Sequence, residues 1–141
     1  MGIDRKKLRV LCIDDAALIR STVKQTMLRL GLGKVDDASS AEGGLRFMER
    51  ETYDLMLCDW VMPGMTGIEL LRHLREKKIA PEMKFVMVTA LSQEAQVREA
   101  IELGVAGYII KPFTPLTLAS QVEQILGLPP TQRDPLRLRQ G

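Results

Sequence analysis

Short apolar runs alternate with helix-period segments five times along the chain. Residues 8–13 read as a strand that ends in two aspartates, Asp14 and Asp15. Residues 17–30 then place Ile19, Val23, Met27 and Leu30 on one helical face, with Gly31 as the stop. A short strand over 34–38 precedes a second helix that carries Leu45 and Met48. Ser39 and Glu42 have the spacing of a capping box for that helix. Residues 55–58 are continuously apolar, the pattern of a central parallel strand buried on both faces, and they too end in an aspartate, Asp59. Pro63, Gly64 and Gly67 mark a loop before a helix over 68–75. A fourth strand over 85–88 ends at Thr89, and a helix over 92–103 stops at Gly104. A fifth strand over 107–110 ends at Lys111. Thr114-Pro115 starts the last helix, with Leu118, Val122, Ile125 and Leu126 on its apolar face and Gly127 at its end.

Five βα units of this length imply a parallel sheet with helices on both faces. A closed (βα)₈ barrel needs about 250 residues, and the chain has 141. The expected class is therefore α/β with an open, doubly wound sheet. The domain spans 8–126, between a basic N-terminal extension, 1–7, and a Pro/Arg-rich C-terminal tail, 127–141.

Charge sharpens this division. Residues 1–9 carry four Lys/Arg against one Asp, and residues 127–141 carry three Arg against one Asp. The body between them holds 13 basic and 16 acidic residues. Basic ends on a mildly acidic body are expected to be solvated tails, unlike the basic stripe that a nucleic-acid binder presents. No apolar run approaches the roughly 20 residues of a membrane-spanning helix. The N-terminus lacks a signal-peptide pattern, and Lys6 stands where a myristoylation motif wants Ser or Thr. A cytoplasmic location is expected. Cys12 and Cys58 sit inside apolar runs with no CxxC partner, and His73 is the only histidine. Both cysteines are expected to be buried and reduced.

In an open α/β sheet, ligands bind outside the carboxyl ends of the strands. The residues at those ends are Asp14, Asp15, Asp59, Thr89 and Lys111. Three carboxylates packed together repel unless a cation neutralises them. An oxygen-only ligand set with room for water suits Mg²⁺. A divalent cation plus a lysine is the electrostatic clamp of phosphoryl transfer, and a carboxylate nucleophile yields an acyl phosphate. No GxxxxGK[ST], GxGxxG or GxSxG motif is present, which leaves P-loop, dinucleotide and hydrolase readings without support. A phosphatase built on Asp-x-Asp is unsupported as well, because Val61 stands at the second acidic position.

Asp14-Asp15, the run from Asp59-Trp60-Val61 to Gly67, Thr89-Ala90 and Lys111-Pro112-Phe113-Thr114 together resemble the receiver domains of two-component response regulators. Asp59-Trp60 and the Gly107-Tyr108 step point to receivers of the chemotaxis CheY type. The resemblance covers residues 8–126. It implies a flavodoxin-like sheet of order 2-1-3-4-5 and a signalling switch that assists its own phosphorylation and dephosphorylation. Asp59 is then the phosphoacceptor. Mg²⁺ is held by Asp15, Asp59 and the backbone carbonyl of Val61, with Asp14 acting through water. Lys111 contacts the phosphoryl group beside Thr89 and Ala90, Tyr108 swings inward behind Thr89, and Pro112 follows Lys111 as a cis proline. The implied donor is a phosphohistidine on a histidine kinase or histidine phosphotransferase. The implied effector docks on the face of helix 4, strand 5 and helix 5, with no direct nucleic acid and no membrane. The receiver half of a DNA-binding regulator and a phosphorelay intermediate stay open as alternatives. Two positions depart from the chemotaxis pattern. Val61 and Leu91, two residues after Asp59 and Thr89, are apolar where polar side chains can help place a hydrolytic water.

Overall fold

The structure, a computed structural model, describes residues 2–131. Its elements run β1 (Arg9–Ile13), α1 (Ala17–Arg29), β2 (Lys34–Ala38), α2 (Ala41–Arg50), β3 (Leu55–Cys58), α3 (Gly67–Glu76), β4 (Lys84–Thr89), α4 (Glu94–Glu102), β5 (Gly107–Ile110) and α5 (Pro115–Leu126). All strand pairs are parallel, and the sheet order is β2-β1-β3-β4-β5.

The alternation of side chains along each inner strand explains the two layers. Leu11 and Ile13 of β1, Met56 and Cys58 of β3, and Phe85 and Met87 of β4 face one core with Ile68, Leu70, Leu71 and Leu74 of α3. Leu45 and Met48 of α2 pack against the same core. Val10, Cys12, Leu55, Leu57, Val86 and Val88 face the other, with Val23 and Met27 of α1 and Leu118 and Val122 of α5. The strand β3 is buried along its whole length. Truncating Leu57 to Ala there would remove about 2–5 kcal/mol, a large share of the stability of an ordinary domain.

The helix starts show where local chemistry decided a boundary. The N-cap of α2 is Ser40, whose hydroxyl accepts from the Gly43 N–H, so the capping box expected from Ser39 and Glu42 does not form. A capping box does form at α3, between Thr66 and Glu69. At α5, Thr114 caps and Pro115 opens the helix, and Gly127 closes it with a left-handed φ of 68°.

The expectation of solvated basic ends holds for Lys6 and Lys7, which are exposed, and fails for Arg5, while the arginines of the C-terminal end lie outside the described residues. Arg5–Lys7 form a 3₁₀ turn capped by Asp4 and seated on Gly33, where any Cβ would lie 1.8 Å from the Lys6 carbonyl oxygen. The Arg5 guanidinium donates to the carbonyls of Leu30 and Pro129 and pairs with the buried carboxylate of Glu123 at 3.1 Å. Glu123 also accepts from the backbone N–H and hydroxyl of Thr131. The first residues of the expected tail are thus packed against α5, while its remainder, 132–141, lies outside the described residues.

Candidate functional site

The chain turns from one side of the sheet to the other between β2 and β3, which flank β1. The crevice at the carboxyl ends of β1 and β3 is the place where this architecture binds ligands. Asp14 and Asp15 leave β1 there, and Asp59 leaves β3. One carboxylate oxygen from each lies within 4.8 Å of the others, a set able to hold a metal ion. Asp14 is 2% exposed and Asp59 7%, while Asp15 is open to solvent.

Lys111, brought to the same rim by its backbone bond to the Thr89 carbonyl, bridges two of the three. Its Nζ donates to Asp14 Oδ2 at 2.7 Å and to Asp59 Oδ2 at 2.8 Å. Burial alone lowers the pKa of this ammonium, but the two carboxylates outweigh burial and raise it. The other oxygens of the pair are held by backbone: Asp14 Oδ1 accepts from Ala16 N and Asp59 Oδ1 from Val61 N. Gly67 fixes the carbonyl end of Asp59. Its N–H donates to the Trp60 carbonyl, and a Cβ there would meet the Asp59 carbonyl oxygen at 2.1 Å. The loop Trp60–Thr66 can close over β3 only with glycine at that position.

Thr89 is buried at the end of β4, and its hydroxyl accepts from the Leu91 N–H at 3.3 Å. Ala90 beside it is exposed. Tyr108 lies opposite Met87 in register, and its hydroxyl donates to the Leu91 carbonyl at 2.6 Å, which ties β5 to the β4–α4 loop. Burial, with Asp59 adding to it, raises the Tyr108 pKa. Val61 is 57% exposed at the rim. Met62 is buried, and Met65 and Trp60 pack partly against the core. The Lys111–Pro112 peptide is cis. Cys12 and Cys58 are buried free thiols on opposite faces of the sheet.

All five strand-end residues singled out from the pattern therefore stand on one rim, and Asp14, Asp15, Asp59 and Lys111 form one cluster. Two further members, Arg20 and Asp37, escape that reading. The Arg20 guanidinium donates from Nη1 to the Asp14 carbonyl at 2.7 Å and from Nε to Asp37 Oδ2 at 3.0 Å. Asp37 sits near the carboxyl end of β2, so the rule that found the other strand ends, applied to the second strand, would have found it.

Comparison with known proteins agrees with this geometry. Residues 10–123 match the model of the response regulator receiver domain. The chain is 34% identical over 124 residues to chemotaxis protein CheY-3 of Vibrio cholerae, covering 88% of this chain and 95% of that one. It is 35% identical over 118 residues to chemotaxis protein CheY of Pseudomonas aeruginosa, covering 84% and 95%. Among solved structures, chemotaxis response regulator CheY4 of Vibrio cholerae superposes with a TM-score of 0.78 at 27% identity, covering 84% of this chain and 98% of that one. The chain belongs to the response regulator receiver family. Within that family it is a CheY-like signalling receiver, and no helix among its described residues is long and apolar enough to cross a membrane.

Proposed function

We propose that this receiver is a Mg²⁺-dependent phospho-switch, in which Asp59 takes a phosphoryl group from a phosphohistidine of a histidine kinase or histidine phosphotransferase. The observation that carries this reading is the Lys111 ammonium bridging two of three clustered carboxylates, with the third, Asp15, free toward solvent. Three carboxylates against one ammonium leave an excess of negative charge, and the donor set is all oxygen, so the residues fit a hard divalent cation. Asp15, Asp59 and the Val61 carbonyl would hold Mg²⁺, with Asp14 acting through water. Mg²⁺, when bound, neutralises charge on the transferring group.

The chain's own residues do the rest. A carboxylate oxygen of Asp59 attacks phosphorus while the bond to the donor's imidazole nitrogen breaks, and the freed electron pair stays on the imidazole. Lys111, relieved of part of its pairing with Asp59, turns its ammonium to a phosphoryl oxygen, and the Ala90 backbone and the Thr89 hydroxyl supply further donors. The added charge, roughly −1.5 to −2, draws Thr89 away from Leu91. Tyr108, already bonded to the Leu91 carbonyl, couples that shift to α4, β5 and α5, the face proposed for the effector. The reading supposes a cytoplasmic protein that acts by protein–protein contact rather than on nucleic acid.

Trp60 is the only tryptophan and adjoins Asp59, so its emission should follow a Mg²⁺ titration. Asp15→Asn should weaken binding at least tenfold, as loss of a charged first ligand does. A wild-type chain that shows neither an emission change nor heat at millimolar Mg²⁺ would remove the metal from the account.

A further inference from the structure

Arg20 is a cation built into the rim of a proposed cation site, which on charge alone is counterproductive. Its side chain is 20% exposed, reaching back from α1 to the end of β1. Asp14 is held at every polar group it has. Its N–H donates to the Ala38 carbonyl, its two carboxylate oxygens accept from Ala16 N and Lys111 Nζ, and its carbonyl oxygen accepts from Arg20 Nη1 at 2.7 Å. That carbonyl belongs to the peptide joining Asp14 to Asp15. A peptide unit is planar, so fixing its oxygen fixes the direction in which the Asp15 Cα leaves the strand. The Asp15 carboxylate itself is exposed and accepts no hydrogen bond among the described residues. Its placement therefore depends on its backbone. Arg20 is oriented in turn by Asp37, through Nε at 3.0 Å, and Lys24 reaches the other Asp37 oxygen at 3.5 Å.

We infer that Arg20 is a positioning residue for the divalent cation: it aims Asp15 by holding the Asp14–Asp15 peptide, and Asp37 locks its guanidinium in that pose. The inference rests on the reading of Asp14, Asp15 and Asp59 as the cation site. It makes a prediction opposite in sign to simple electrostatics. Removing a positive charge beside a cation site should tighten Mg²⁺ binding by Coulomb's law, whereas removing a residue that orients a ligand weakens binding about 10–100-fold. Lysine separates the two, because it keeps the charge but loses the fork that spans a carbonyl and a carboxylate.

The test is Mg²⁺ titration of the full chain by Trp60 emission and calorimetry, with melting temperatures measured in EDTA as the control for folding. Arg20→Ala and Arg20→Lys should both weaken Mg²⁺ by about 10–100-fold. Asp37→Asn should act in the same direction by a smaller factor, and Lys24→Ala should leave affinity at the wild-type value. Arg20→Ala binding as tightly as wild type or more tightly, or Arg20→Lys restoring wild-type affinity, overturns the inference. Should Arg20→Ala melt early, Arg20→Lys, which keeps the charge, decides by the same criterion. A wild-type chain that binds no Mg²⁺ overturns the cation site as well, whereas wild-type binding with unaffected variants overturns this inference alone.

Discussion

Replacing Lys111 with Met keeps most of the length of the side chain and deletes the charge that Asp14 and Asp59 share. Both carboxylates are nearly buried. Removing one partner of a buried ion pair costs about 3–5 kcal/mol because the other charge is left uncompensated. Lys111 retains 16% exposure, so water takes up part of the loss, and the lower end, ~3 kcal/mol, is expected. For a chain of 141 residues this lowers the melting temperature by about 10 °C. Mg²⁺ should narrow the gap, since it neutralises the same carboxylates and in the variant has no ammonium to compete with. The gap also depends on pH with a definite sign. The folded pKa of Lys111 is raised above its ordinary 10.5, so the stability it contributes is fully present below 10.5 and is lost as pH rises through the folded value. Differential scanning calorimetry in EDTA, in Mg²⁺ and across pH 7 to 11 measures all of this. A variant that melts within about 1 °C of wild type in EDTA, or a gap that Mg²⁺ widens, would refute the reasoning.

Two further expectations follow from individual side chains. Val61 and Leu91 offer an attacking water no hydrogen-bonding side chain, so the aspartyl phosphate should be long-lived. Val61→Asn with Leu91→Glu should speed its decay about tenfold, worth about 1.4 kcal/mol of barrier; equal decay of radiolabelled wild type and double mutant, with Mg²⁺ and no phosphatase, would count against it. Burial above all, with Asp14 and Asp37 adding to it, pushes the Cys12 thiol up to about 12, and burial pushes Cys58 well above its ordinary 9.0. Ellman's reagent at pH 8 should therefore label neither in the native chain and both in guanidinium, and fast labelling of either in the folded protein would contradict that burial.

Much of this is legible in the sequence. The continuous apolar run at Leu55–Cys58 announced a strand covered on both faces, and the polar residues that end four strands announced the rim, because one architecture ties both signals together. What escaped was information carried between segments. The capping-box spacing favours Ser39, with Glu42 three residues on, over Ser40, with Gly43, yet it is Ser40 that caps α2 through the Gly43 N–H. The basic ends look solvated by composition, yet Arg5 pairs with the buried Glu123, 118 residues away in sequence. Arg20 falls beside the apolar face of α1 and has no local signature, since both its partners belong to other segments of the rim. Tyr108 was visible as a residue of interest, but its bond to the Leu91 carbonyl depends on a loop conformation that no periodicity encodes.

The central claim is that Asp59 carries the phosphoryl group. Intact-protein mass spectrometry after incubation with acetyl phosphate and Mg²⁺, comparing wild type with Asp59→Asn, tests it most directly. Wild type should gain the mass of one phosphoryl group, lose it again in EDTA-quenched alkaline hydrolysis, and fail to gain it when Mg²⁺ is omitted, while Asp59→Asn gains none. Equal labelling of the two chains would place the acceptor elsewhere and contradict the account.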